Sequence, residues 1–251
     1  MKIFFISINN SNALEKKNRL VKLYNNSTVE ECDIIVALGG DGFLLKVIHD
    51  YKKFNKPIYG MNFGSIGFLM NQYEEQNLKN NLEHAQKIKI KPIIMEAKTN
   101  DNIFKSLAYN EISLIRETYQ AAKLLIKING IIRMKELVCD GVLVSTPAGS
   151  TAYNLSAHGP IIPLGANSLA LTPISAFRPR RWKGALLDEK TNIEIKVLDS
   201  IKRPVRIAAD HKEFKNVEYV SITISKNSYQ TLLFNADHSF DERILKEQFS
   251  E

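Results

Sequence analysis

Long hydrophobic runs are missing from this 251-residue chain, and no window reaches the roughly 18 uninterrupted apolar residues of a membrane-spanning helix. Cysteine is nearly missing too. Cys32 and Cys139 are the only two, too few for a disulfide framework and suited to a reducing compartment. The first apolar stretch, Ile3 to Ile8, stops at Asn9-Asn10 with no small-residue cleavage site after it. It reads as a buried first strand rather than a secretory leader. A soluble, cytoplasmic protein with no membrane partner is expected.

Several signatures of known chemistry do not occur either. There is no Gly-x-x-x-x-Gly-Lys-Ser/Thr and no Gly-x-Gly-x-x-Gly, so neither common phosphate-binding loop is available. No Gly-x-Ser-x-Gly elbow exists to make His158 part of a serine hydrolase. His49, His84, His158, His211 and His238 never fall at zinc-ligand spacing. Charge of one sign is in modest excess: 34 basic against 27 acidic side chains, net +7, with an isoelectric point near 9.2. This favours anionic partners without separating nucleic acids from nucleotides. Lys16, Lys17, Lys52, Lys53, Lys87, Lys89 and Lys91 are scattered, without interleaved aromatics. They read as solvated surface, not as a nucleic-acid interface.

What is present is an alternation of patterns. Residues 2–8 read as a strand, 11–24 as a helix, 34–38 as a buried strand, 43–54 as a helix and 57–62 as a strand. Continuous apolar runs between helices are what a parallel sheet covered on both faces requires. A polar helix follows at 74–85, and from Lys87-Ile88-Lys89-Ile90 onward the period falls to two. Strands are expected at 107–115, 141–146, 168–173, 192–198, 204–209, 218–225 and 230–235. A hairpin is expected across Asn129-Gly130, because Asn-Gly supplies the positive φ angles of a type I′ turn. One helix interrupts this β-rich region, from Gly149-Ser150-Thr151 through Ala157, and residues 240–249 form a last helix that packs back on the first domain. The expected fold is therefore an α/β N-terminal domain with a Rossmann-like parallel sheet (1–90, completed by 236–251) and a mostly β C-terminal domain (91–235).

Four places can hold chemistry. Leu38-Gly39-Gly40-Asp41-Gly42 ends a buried strand and begins a helix, where glycines let phosphate oxygens approach backbone N–H groups and Asp41 points into a crevice. A helix cap in a tight turn is the plainer alternative. Gly60-Met61-Asn62-Phe63-Gly64-Ser65-Ile66-Gly67 follows the next strand and should lie on the same sheet edge, either as a close-approach loop or as a simple connection. Asp140-Gly141 to Gly159-Pro160 is too polar and glycine-rich for core, and its Ser/Thr run opens a helix able to meet an anion. Asn110-Glu111 interrupts an apolar strand. Adjacent strand residues face opposite sides, so one of the two faces a buried or functional surface unless the pair lies at an edge.

Gly39-Gly40-Asp41-Gly42, Asn110-Glu111 and Asp140-Gly141-x-x-x-Ser145-Thr146-Pro147-Ala148-Gly149-Ser150-Thr151-Ala152-Tyr153, in this order, resemble the NAD kinase family over essentially the whole chain. The third motif is long and specific, whereas Gly-Gly-Asp-Gly is shared with diacylglycerol and sphingosine kinases. The resemblance implies phosphorylation of the adenosine-ribose 2′-hydroxyl of NAD by ATP or polyphosphate, giving NADP, with Mg²⁺ held mainly by the ATP phosphates. It also implies a homo-oligomer, dimer or tetramer. A lipid kinase of the same superfamily and a non-catalytic dinucleotide-binding protein are the alternatives.

Residue by residue, the resemblance makes Asp41 the catalytic carboxylate, with Gly42 beside it at the dinucleotide and Lys46 one turn on, facing phosphate. Asn110 and Glu111 contact the polar edges of NAD. Asp140 matches the family's ligand-binding aspartate. Ala148 and the stretch Thr151, Ala152, Tyr153, Asn154, Leu155 and Ser156 line the dinucleotide pocket. Ala121 and Lys135 fall in the hairpin, and His211 lies where a C-terminal strand contributes a contact. Phe43 and Ala148 stand where the family often carries Thr, which alters phosphate contacts but leaves the carboxylate in place.

Overall fold

The computed structural model of the chain describes residues 1–63, 67–99 and 102–235. They form two compact units, one of Met1–Ile90 together with residues 229–235, the other of Lys91–Ser228.

The first unit is built on a mixed sheet. β1 (Ile3–Ser7), β2 (Ile34–Leu38) and β3 (Ile58–Asn62) run parallel, joined by α1 (Ser11–Tyr24) and α2 (Asp41–Tyr51). All five residues of β2 are buried, as a central strand covered on both faces demands. α1 starts where it does because the Asn10 side chain accepts the Ala13 N–H at 2.7 Å. Its inward face carries Ala13 and Leu20. The short β4 (Asn71–Gln72) adds to β3, and α3 (Leu78–His84) precedes the edge strand β5 (Gln86–Ile90). Phe5, Leu20, Val36, Leu38, Tyr59 and Met61 pack in one core.

The second unit contains two six-stranded antiparallel sheets. One has the order β10-β9-β14-β17-β6-β7 and the other β13-β12-β11-β8-β15-β16. In the first of these lie β6 (Ile93–Lys98), β7 (Ile103–Ala108), β9 (Ala122–Ile128), β10 (Ile131–Cys139), β14 (Ile193–Val197) and β17 (Tyr219–Ile224). The second holds β8 (Glu111–Arg116), β11 (Gly141–Ser145), β12 (Ser168–Ile174), β13 (Ala185–Asp188), β15 (Val205–Ala209) and β16 (Lys212–Phe214). Met95, Ile126 and Ile195 of one sheet share a core with Leu114, Val144 and Ile207 of the other. The β9–β10 hairpin turns through Asn129 (φ 52°) and Gly130 (φ 78°), as its sequence requires.

The structure corrects the sequence reading at five points. The expected strand 107–115 is two strands, broken at Tyr109-Asn110, so the alternation argument for Asn110 and Glu111 does not apply across the break. The helix expected from Ser150 to Ala157 shrinks to α4 (Tyr153–Ser156). Ser150 Oγ bonds to the Pro147 carbonyl at 2.8 Å, a local alternative to helical bonding, and Ala152 has ψ −127°. The polar helix at 74–85 is only α3. The helix expected at 43–54 begins at Asp41 and ends in a 3₁₀ turn over Lys52–Phe54. Finally, β18 (Gln230–Phe234), assigned from sequence to the second domain, belongs to the first sheet. It runs parallel to β3 and antiparallel to β5, which places the second boundary at 228/229 instead of 235/236. The helix expected at 240–249 lies outside the described residues.

Candidate functional site

In the first unit, the fully buried β2 delivers Gly39-Gly40 to the start of α2, whose N-cap, Gly40, offers no side-chain bond. Asp41 is therefore the first helical residue, at the C-terminal edge of the sheet. Its carboxylate reaches across to the second glycine loop. Oδ2 accepts the Phe68 N–H at 2.8 Å and Oδ1 the Leu69 N–H at 3.1 Å. The two glycine loops anticipated from sequence thus meet through Asp41. Gly67 makes that approach possible, because a Cβ there would collide with the Asp41 carboxylate. Gly42 is exposed, and a Cβ at Gly40 or Gly42 would have open space around it. Lys46 points away to solvent and pairs with Asp50 at 2.6 Å, which raises the pKa of its ammonium.

In the second unit, the break between β7 and β8 is held from both sides. On one side is the Asp210 carboxylate, at the β15–β16 turn, which accepts three backbone N–H groups: Tyr109 at 2.8 Å, Asn110 at 3.0 Å and Glu111 at 3.4 Å. The Asp210 N–H returns a bond to the Glu111 carbonyl at 3.2 Å. On the other side, Thr146 donates its N–H to the Asn110 carbonyl at 2.9 Å and its hydroxyl to the Tyr109 carbonyl. Gly149 donates to Thr146 Oγ1 at 3.1 Å, and a side chain on Gly149 would overlap the Asn110 carbonyl. Thr146 and Gly149 both come from the long motif, and at Gly149 no side chain fits.

This frame leaves two oxygens unserved. Asn110 Oδ1 and Glu111 Oε2 are buried and have no hydrogen-bond partner among the described residues. Buried polar atoms are nearly always paired, so two orphans on adjacent residues mark a place where a ligand or water completes the bonding. Burial, reinforced by the Asp210 charge, pushes the Glu111 carboxyl up to about 7. Tyr109 is pushed up to about 12 by burial and then by Asp210. Tyr153 on α4 is raised by burial and then by the Glu111 charge.

The remaining candidates in the second unit divide by what their side chains already do. Asp140 is paired with Arg116 Nε at 2.7 Å, both half-exposed. Asn154 is fully buried: its Nδ2 donates to the Ser150 and Pro160 carbonyls, and its Oδ1 accepts from Thr172 Oγ1 at 2.7 Å. Its side chain fixes the loop, so only its backbone is left for a ligand. Ala148 is buried, Thr151, Ala152 and Leu155 are half-buried, and Tyr153 and Ser156 are exposed. The Ala121 carbonyl accepts from Arg203, while Lys135 lies exposed on the edge strand β10. His211 is exposed beside Asp210. No three His, Cys, Asp or Glu side chains gather as a metal cage among the described residues. Sequence reasoning does not single out Asp210 or the clamping role of Thr146. The partners of Asp210 lie about a hundred residues away, so only its place after an apolar strand could have drawn attention.

Comparison with known proteins adds the following. Residues 6–90 match the ATP-NAD kinase N-terminal domain family and residues 109–234 the ATP-NAD kinase C-terminal domain family. The chain is 51% identical over 248 residues to an NAD kinase of Brucella melitensis, covering 98% of this chain and 96% of that one. It is 49% identical over 251 residues to an NAD kinase of Rickettsia typhi, covering 100% and 98%. Among solved structures it resembles a yeast NADH kinase complexed with NADH (TM-score 0.84, 18% identity, 99% and 86% covered). It also resembles an Archaeoglobus fulgidus NAD kinase in complex with ATP (TM-score 0.79, 23% identity, 100% of both chains).

Proposed function

The chain belongs to the NAD kinase family, and on that premise we propose that Asp41 takes the proton from the adenosine-ribose 2′-hydroxyl of NAD while ATP phosphorylates that oxygen. The protein is an NAD kinase, a phosphotransferase acting on NAD with ATP. A lipid kinase is not favoured, because NAD kinases match along nearly the full chain and the C-terminal family match spans the long motif around Thr146. Complexes of the structural relatives with NADH and with ATP support a dinucleotide and a nucleoside triphosphate as the two substrates.

The single observation that carries the mechanism is the Asp41 carboxylate at the sheet edge, oriented by two backbone N–H groups. Those two bonds hold the ionised carboxylate as an oriented acceptor at the end of β2. In the reaction a new bond forms between the ribose oxygen and the γ-phosphorus. The bond from that phosphorus to the β–γ bridging oxygen breaks, ADP leaves, and the hydroxyl proton passes to Asp41. General-base assistance of this kind is worth about 10²–10⁴-fold, and positioning and charge neutralisation contribute much of the rest. Asn110 and Glu111 offer their unpartnered oxygens to polar edges of the dinucleotide. Ala148, the backbone of Thr151 to Ser156, Asp140 and His211 contribute further contacts.

Mg²⁺ would be carried mainly on the ATP phosphates, which leaves the Asp41 carboxylate for the hydroxyl proton. When bound, that cation neutralises charge on the transferring phosphoryl group. We place the reaction in the cytoplasm, where two buried free thiols are stable. A homo-oligomer is supported by Ile131 and Ile132, exposed on the edge strand β10, and Leu186, exposed on the edge strand β13. The test is NADP formation by purified protein given NAD, Mg²⁺ and either ATP or polyphosphate. NADP is the expected product, and none with either donor contradicts the reading.

A further inference from the structure

We infer that Asp210 is a positioning residue for the dinucleotide: its carboxylate holds the Tyr109–Glu111 backbone so that the Asn110 and Glu111 side chains are presented to the ligand. The inference rests on the reading, given above, that these two side chains contact NAD. Its geometry is over-determined. Three successive N–H groups converge on one carboxylate, and the Asp210 N–H closes the ring on the Glu111 carbonyl. The opposite edge of the same segment, its carbonyls, is fixed by Thr146. Asp210 adopts φ 51°, a left-handed conformation that Asp tolerates better than most residues and that concentrates at functional turns.

The clamp is also not required by the sheet. β8 pairs through Ile112–Arg116 with β15 and through Glu111–Ile115 with β11, and those ladders are complete without a carboxylate at the break. What the carboxylate determines is where the chain leaves β7 and enters β8, and so the direction of the two orphaned oxygens. Hydrogen bonds to a charged acceptor are the strong ones, so three of them pin the backbone more firmly than a neutral side chain can.

Asp210 has a second consequence through its charge. Glu111 feels the Asp210 charge and in turn acts on Tyr153, which Arg206 and Asp140 also influence, while Tyr109 lies two residues before it and His211 adjoins Asp210. Replacing Asp210 with a neutral residue removes a negative neighbour and lets Glu111 ionise at lower pH.

The test compares Asp210→Asn with Asn110→Ala and Glu111→Gln in the full chain, measuring kcat and KM for NAD and for ATP from pH 5.5 to 9. For Asp210→Asn, KM for NAD should rise about tenfold or more, corresponding to one lost polar contact, while KM for ATP stays within about twofold. The pH dependence of KM for NAD should move to lower pH in Asp210→Asn and vanish in the double variant with Glu111→Gln. If Asn110→Ala and Glu111→Gln raise KM for NAD but Asp210→Asn changes neither KM nor the pH profile, the positioning role is refuted and the dinucleotide reading stands. If Asn110→Ala and Glu111→Gln leave KM for NAD unchanged, the dinucleotide reading fails and the inference fails with it. Should Asp210→Asn not fold, hydrogen exchange on the unaltered protein decides: the Tyr109, Asn110 and Glu111 amides should be protected without NAD, and fast exchange there overturns the inference.

Discussion

Two aspartates in this molecule do the same thing geometrically and, in the roles proposed for them, different things chemically. Asp41 in the first unit and Asp210 in the second each gather backbone N–H groups from a distant loop, two for Asp41 and three for Asp210. Asp41 sits at the end of a buried strand between Gly40 and Gly42, where an added Cβ would have open space, and in the proposed mechanism its carboxylate meets the reacting hydroxyl. Asp210 is turned onto the backbone of a strand break, and in the proposed reading the groups that face the ligand are the side chains of Asn110 and Glu111. A carboxylate that collects N–H groups is therefore not in itself catalytic. What lies around the carboxylate decides.

Variants can break this comparison, beginning with the largest effect. Asp41→Asn should lower kcat by about 10²–10⁴-fold and leave KM for NAD within a few-fold, because only the proton acceptor is lost. Steady-state kinetics of NADP formation check this. Gly67→Ala drives a methyl group onto the Asp41 carboxylate. It should reduce kcat by about 10–100-fold through displacement of that group, while thermal unfolding of the second unit stays unchanged.

A smaller effect sharpens the contrast from the other side. Burial raises the Glu111 carboxyl from its ordinary 4.5 to about 7. Between those values the folded chain binds more protons than the unfolded chain, so stability falls as pH rises through that window, and the deficit is complete above about 7. Glu111→Gln carries no charge at any pH and escapes the deficit. Its Tm should exceed that of the parent by on the order of 3–6 °C at pH 8.5, the gap closing by pH 4.5. A gap that is constant with pH contradicts the burial of an ionisable group at this position. The smallest change should come from Lys46→Met. Its ammonium is exposed and paired with Asp50, so KM for ATP should shift by less than about threefold.

Local chemistry was easy to read from the sequence, and long-range chemistry was not. The apolar run before Gly39 requires a buried strand, and the Asn129-Gly130 pair requires a tight hairpin; both are found where composition puts them. Asp41 stood out because glycines surround it in sequence. The break at Tyr109-Asn110 was invisible, because apolar residues flank it on both sides and the groups that stabilise it, Asp210 and Thr146, are far along the chain. The long motif announced itself as polar and glycine-rich, but it was read as the N-terminus of a helix. In the structure its Ser150 and Asn154 side chains bond to nearby carbonyls, and the helix keeps only four residues. The return of β18 to the first sheet was hidden for a similar reason. A strand's period tells which faces it presents, not which sheet it joins.

The division of labour between the two aspartates is tested most directly by measuring kcat and KM for NAD side by side for Asp41→Asn and Asp210→Asn. The account predicts that the first variant loses turnover while keeping its affinity for NAD, and that the second loses affinity while keeping most of its turnover. Parental turnover in Asp41→Asn, or an equal loss of kcat in both with KM unchanged, would contradict it.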